Sequence, residues 1–117
     1  MKKYFIVLVF TYIFQCLNGQ NFRFSHLDVS NGLSNGSVNC ITQDSTGFIW
    51  IGTNDGLNRY DGYKFKVFLH KPSDSLSIIT NTVNDILPEG DNLWVCTNKG
   101  IDYYDADKEM FINMPII

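Results

Sequence analysis

The stretch Trp50-Ile51-Gly52-Thr53-Asn54-Asp55-Gly56-Leu57-Asn58-Arg59-Tyr60-Asp61 returns forty-four positions later as Trp94-Val95-Cys96-Thr97-Asn98-Lys99-Gly100-Ile101-Asp102-Tyr103-Tyr104-Asp105. Trp, Thr, Asn, Gly, Tyr and Asp recur at one constant offset, and Leu57 is answered by Ile101. Upstream, Ser37-Val38-Asn39-Cys40-Ile41 aligns with Thr82-Val83-Asn84-Asp85-Ile86 once the turn Asp44-Ser45-Thr46-Gly47 is shortened by one residue to Glu89-Gly90-Asp91. A repeat of about 44 residues is the first fact any fold assignment has to respect.

Inside the unit the local signals are those of strands and tight turns. Phe48–Thr53 and Leu93–Thr97 are short runs of apolar, β-branched and aromatic residues, the pattern of strands buried on both faces. Asn54-Asp55-Gly56 and Asn98-Lys99-Gly100 place Asn and Gly where a hairpin needs positive φ, so each run should fold back on an antiparallel partner. Asp61-Gly62 turns the chain again. Tyr63-Lys64-Phe65-Lys66-Val67 then alternates, which predicts an outer strand with Tyr63, Phe65 and Val67 on one face and the lysines on a wet one.

The spacing therefore predicts strands over Ser37–Gln43, Phe48–Thr53, Leu57–Tyr60 and Tyr63–Leu69, and again over Thr82–Leu87, Asn92–Thr97, Ile101–Tyr104 and Met110–Met114. Four antiparallel strands every 40–45 residues or so is the signature of a β-propeller blade. A solenoid would show shorter units or helical spacing, and an immunoglobulin-like sandwich gives no reason for two near-identical hairpins. The fold class expected is all-β, a propeller fragment of about two four-stranded blades.

The beginning of the chain has a different character. Met1-Lys2-Lys3, the apolar run Tyr4–Phe14 and the small Gly19 read as a secretory signal peptide over 1–19, too short for a membrane span. Gln15 ahead of Cys16 argues against lipidation there. Cleavage after Gly19 leaves 98 residues with 7 Lys plus Arg against 12 Asp plus Glu, a net charge of −5 that makes a nucleic-acid partner an unfavourable reading. Of the cysteines, Cys40 and Cys96 remain; they could pair in an oxidising compartment, but the repeat puts Asp85 and Gly52 at the matching places, so it requires a thiol at neither. The expected organisation is a lead-in strand and loop over 20–36, with Asn21–Leu27 extended, blade one over 37–70, and a connecting loop and blade two over 71–117.

The residues Gly32-Leu33-Ser34, Val38-Asn39-Cys40-Ile41, Gln43-Asp44, Gly47–Thr53 and Asp55–Gly62 resemble the two-component regulator propeller repeat. The second unit departs from that pattern at Cys96, Ile101 and Asp102-Tyr103. The resemblance implies an exported, periplasmic propeller that senses carbohydrate, anchored in the inner membrane ahead of a histidine kinase absent from this sequence. Partners implied are an oligosaccharide and the remaining blades. The alternatives are a fragment of a secreted propeller enzyme acting on polysaccharide, or a truncated product without function.

Several motifs that could carry chemistry have simpler readings. Gly32-Leu33-Ser34-Asn35-Gly36 fits the nucleophile-elbow pattern but lacks the helix that must follow it. His26 and His70 have no ligand-spaced partner, and the Asp- and Asn-rich loops lack calcium-loop spacing. No catalytic, metal or cofactor residue is expected. Up-and-down strands gather Asn54-Asp55-Gly56, Asn98-Lys99-Gly100 and the stretches 31–36 and 71–81 on one loop-rich polar face that suits a sugar, although each residue there already has a turn to make. Trp50 and Trp94 are expected in the core, and an isolated two-blade chain is expected to self-associate.

Overall fold

The structure, a computed structural model, describes residues 27–116. The expected signal peptide and nearly all of the expected Asn21–Leu27 strand lie outside these residues. Eight strands follow a single 3-10 turn at Val29–Asn31: β1 (Val38–Gln43), β2 (Ile49–Thr53), β3 (Gly56–Tyr60), β4 (Phe65–Phe68), β5 (Val83–Glu89), β6 (Asn92–Thr97), β7 (Gly100–Asp105) and β8 (Met110–Pro115). They form two four-stranded antiparallel sheets in the orders β1-β2-β3-β4 and β5-β6-β7-β8. This is the all-β, two-blade arrangement that the repeat demands, and no α-helix interrupts it among the described residues.

Registers in the two sheets correspond. Trp50 faces Arg59 and then Lys66 across the first sheet, as Trp94 faces Tyr103 and then Ile112 across the second. A bulge interrupts β1 between Val38 and Cys40 and β5 between Val83 and Asp85, so even the irregularity is repeated. Pro88 and Pro115 sit in the outermost strands β5 and β8, where a missing N–H costs no ladder bond on the open side.

The core lies between the sheets. Trp50, Leu57, Ile78, Leu93, Val95, Tyr104 and Phe111 are buried in one cluster to which both sheets contribute. Trp50 stacks on Phe68 at 5.7 Å and meets Tyr104 edge-on at 5.1 Å, so aromatic contacts carry the blade-to-blade seam. Ile78, from the connection between sheets, is fully buried in that seam. Leu33, at the corresponding place in the lead-in, is buried too, and Ser34 holds this segment to β3 through Asn58.

Two expectations need correction. In β4 the wet face is not the one that bears the lysines. Phe68 shares the side of Lys66 and enters the seam, while Phe65 and Val67 lie on the far face, because the second sheet stacks on the lysine side and Lys66 spans to Glu109. Trp94 is half-buried rather than core, since it occupies the face of the second sheet turned away from the first.

Candidate functional site

The repeated phrase can be read residue by residue from its hydrogen bonds. The Thr53 hydroxyl accepts from Asp55 N and donates to the Gly56 carbonyl, and Thr97 repeats this with Lys99 N and the Gly100 carbonyl. Gly56 and Gly100 have φ of 128° and 150°, and a Cβ on Gly100 would fall 2.4 Å from the Met114 carbonyl. Asp61 and Asp105 each accept two backbone N–H groups in the next turn, which holds the Asp61 carboxyl below the usual carboxylate range. Thr, Gly and Asp are bolts for hairpins, which answers why the phrase occurs twice.

One end of the seam gathers the turn β2–β3, the lead-in and the blade connection, as the alternation of strand direction requires. Ser34 and Thr53 hydroxyls lie 3.1 Å apart, Asn54 N donates to the Ser37 carbonyl, and Gly56 N donates to the Asn81 carbonyl at 2.6 Å. Asn39, carried by the bulge in β1, donates both to Asn54 Oδ1 and to the Val83 carbonyl at 2.9 Å, tying one blade to the next. This is a polar surface whose amides and hydroxyls are engaged largely with each other. Asn39 was not singled out by the sequence reading, although the repeated Val-Asn pairs Val38-Asn39 and Val83-Asn84 were its visible trace.

The opposite end opens a cleft of about 330 Å³ whose lining includes Asp44, Trp50, Arg59, Asp91, Tyr104 and Glu109. Asp44 accepts from Gly47 N, Phe48 N and, at 2.8 Å, Trp50 Nε1. Asp91 accepts from the Ser45 and Thr46 hydroxyls, which lower its carboxyl from the ordinary range. Glu109 is bound by Lys66 at 2.9 Å and Arg59 at 3.4 Å, and its carboxyl is likewise lowered, first by the hydrogen bond and charge of Lys66. The Arg59 guanidinium lies over the Phe48 ring at 4.9 Å and the Trp50 ring at 5.7 Å. Tyr104 Oη is buried beside the Arg59 guanidinium without a well-aligned hydrogen bond among the described residues, and burial raises its phenol above the ordinary range.

Asp102, fully buried in β7, takes the place that Asn58 holds in β3. Its carboxylate accepts from Ile79 N at 2.9 Å and from the Asn113 amide, while burial pushes its pKa above the usual carboxylate range. Both buried polar groups pin the segment that precedes their own blade, Asn58 through Ser34 and Asp102 through Ile79. Cys40 and Cys96 are free, half-buried thiols, and burial pushes the Cys40 thiol up. Gly32–Gly36 is seated against β3 with the Ser34 hydroxyl between Thr53 and Asn58, a positioning contact without a neighbouring base. His70 Nδ1 lies 2.7 Å from the Ile78 carbonyl, and His26 is outside the described residues.

The sequence is similar to that of known proteins. Residues 32–55 match the family described as two component regulator propeller. Histidine kinase P4 of Formosa agariphila is 43% identical over 76 residues, covering 63% of this chain and 6% of that protein, so the matched segment is a small part of its relative. The extracellular domain of a putative hybrid two component system from B. thetaiotaomicron is 27% identical, with 78% of this chain and 20% of that chain covered at a TM-score of 0.44. Residues 32–55 are thus similar to the two component regulator propeller repeat, in a chain that folds as four-stranded antiparallel blades.

Proposed function

We propose that this chain is a segment of the extracytoplasmic sensor propeller of a hybrid two-component receptor, responding to carbohydrate. The observation that carries the reading is the coincidence of the propeller repeat at residues 32–55 with 43% identity to a histidine kinase. In that role the segment is exported to the periplasm, is not itself an enzyme, and supplies two blades and their polar rim to a larger array. Its domain limits are a signal peptide over 1–19, a lead-in over 20–36, blade one over 37–70, and a connection with blade two over 71–117.

The use made of the carboxylates supports a binding rather than a catalytic part. Asp44, Asp61, Asp91, Asp105 and Glu109 are each held by turn N–H groups, hydroxyls or cations, so these five described carboxylates are engaged in structural contacts. The test is to join these blades to the rest of their reading frame. A downstream membrane span and kinase, with oligosaccharide titrated into the whole ectodomain giving saturable heat, is the expected result. A frame that stops after the propeller and yields a protein that cleaves polysaccharide would overturn it.

A further inference from the structure

Asn-Gly occurs twice in the described lead-in, as Asn31-Gly32 and Asn35-Gly36. The dipeptide is chemically exposed, because glycine puts no side chain in the way when its own nitrogen turns on the amide carbon of the asparagine before it. The fold treats the two copies differently. Asn31 is held on both sides: its N–H donates to the Asp28 carbonyl at 3.0 Å, its Oδ1 accepts from Asp28 N at 3.1 Å, and Gly32 N donates to the Val29 carbonyl at 3.1 Å. The nitrogen that would attack there is already spent in the 3-10 turn. Gly36 N makes no hydrogen bond among the described residues, and no atom beyond its chain neighbours lies within 4 Å of where a Cβ would stand. Asn35 Oδ1 accepts from Ser37 N at 2.8 Å, which folds the side-chain amide back over the Gly36 peptide. Exposure alone would rank the two the other way, since Asn31 is exposed and Asn35 half-buried.

We propose that Asn35-Gly36 is a site of spontaneous covalent modification, at which the folded chain deamidates while Asn31-Gly32 is protected. The Gly36 nitrogen attacks Asn35 Cγ, its proton and the side-chain NH2 leave together as ammonia, and a five-membered succinimide closes between the two residues. One water then opens the ring. Opening at the side-chain carbonyl gives aspartate, and opening at the backbone carbonyl gives isoaspartate, whose main chain runs through Cγ and is longer by one methylene. Water is the only co-reactant, and either product carries one more negative charge than the asparagine it replaces.

The two products differ in what they do to the first blade. Asn35-Gly36 lies between two anchors. On one side Ser34 N donates to Asn58 Oδ1 at 2.9 Å, Asn58 Nδ2 donates to Ser34 Oγ at 2.8 Å, the Ser34 and Thr53 hydroxyls meet at 3.1 Å, and Leu33 is buried. On the other side the Ser37 carbonyl accepts from Asn54 N at 3.2 Å. Aspartate keeps an oxygen for Ser37 N and fits the same span. Isoaspartate puts an extra methylene between fixed points, and the single bond at Ser37 yields before the several contacts at Ser34. Asn54 is then released from the lead-in, and its Oδ1 is one of the two acceptors of Asn39, the other being the Val83 carbonyl of the next blade. The lesion therefore loosens the polar end of the seam and leaves the core in place.

The test is to hold the full chain at neutral pH and body temperature for days and to locate deamidation by peptide mapping and mass spectrometry, with isoaspartate identified by enzymatic methylation. In the native chain Asn35 should convert about tenfold faster than Asn31, the factor set by opening the hydrogen bonds of the 3-10 turn. In guanidinium chloride the two should convert alike. Gly36→Ala, whose Cβ meets open space and whose backbone lies outside the positive-φ region, should slow Asn35 by about tenfold with the far-ultraviolet spectrum unchanged. In the isoaspartyl chain amide exchange at Asn54 should quicken by about tenfold, as for one lost hydrogen bond, whereas Asn35→Asp should leave it unchanged. Native Asn31 converting as fast as Asn35, Asn35 inert in the native chain while it converts in guanidinium chloride, an undiminished rate in Gly36→Ala, or unaltered Asn54 exchange in the isoaspartyl chain would each overturn the proposal.

Discussion

Asp44 joins three donors through one carboxyl group, and Trp50 cannot be understood apart from it. Its Oδ1 closes the turn at Gly47 N and Phe48 N, and its Oδ2 holds the indole N–H of a side chain that is 1% exposed. Asp44→Ala would leave that N–H buried without a partner, and the expected loss is about 1–3 kcal/mol in denaturant unfolding at fixed chain concentration. Trp50→Ala removes the ring itself and should cost about 3–5 kcal/mol, while Trp94→Ala, on the open face, should cost less than half as much. Equal losses at the two tryptophans would show that the outer face is covered. Asp102 offers a different test. Burial raises its folded-state pKa, so folding favours the protonated form: the charge penalty is full at neutral pH and is relieved as pH falls through the raised value towards the ordinary one of about 3.9. Asp102→Asn, which restores the residue type found at Asn58, should therefore stabilise the protein most at neutral pH, with its advantage over the unmodified chain vanishing in acid.

Strands in this protein are interchangeable in register but not in surroundings. Gly52 and Cys96 hold matching places in β2 and β6, yet a Cβ on Gly52 would lie 2.5 Å from Cys40 Sγ and 2.6 Å from Val83, whereas Cys96 carries its side chain on the outer face. Gly52→Ala should force the seam apart and cost about 1–3 kcal/mol, whereas Cys96→Ala should change unfolding by well under 1 kcal/mol. Across the same seam, Lys66 and Glu109 are almost half exposed, at 47% and 45% of their side chains. Their ion pair is open to solvent screening, and Glu109→Gln should shift stability by less than about 1 kcal/mol, with the difference fading in high salt. Packing and not charge holds the blades together.

At the scale of the molecule, and among the described residues, the far face of the first sheet is covered in part by the lead-in, where Ile51, Thr53 and Asn58 are buried, and the far face of the second is largely open. Ile101 at 44%, Met114 at 42% and Leu87 at 64% exposure form a broad apolar area on the second sheet alone. Folding that relies on a neighbour is linked to whatever supplies the neighbour, so the midpoint of thermal unfolding should rise with chain concentration. A midpoint independent of concentration over a hundredfold range, together with a single sharp transition, would show that two blades suffice. In a longer receptor the same faces would be filled within one chain, and that dependence would disappear.

The strand pattern, the turns and the two-blade plan were legible in the sequence because each depends on short-range chemistry: alternation along β4, positive φ at Gly56 and Gly100, and backbone capping by Thr53, Asp61 and Asp105. Repetition made them more legible still, since a residue kept for a turn has to return in every unit. Which side of a strand meets a neighbour was not legible, and there the reading of β4 and Trp94 failed. The alternation of Tyr63, Phe65 and Val67 reports two faces but not which blade lies beyond each, and the phrase around Trp94 matches that around Trp50 although only the latter has a sheet stacked on it. The buried roles of Asn58 and Asp102, and the tie from Asn39 to Val83, join segments distant along the chain, so the tertiary structure decided them.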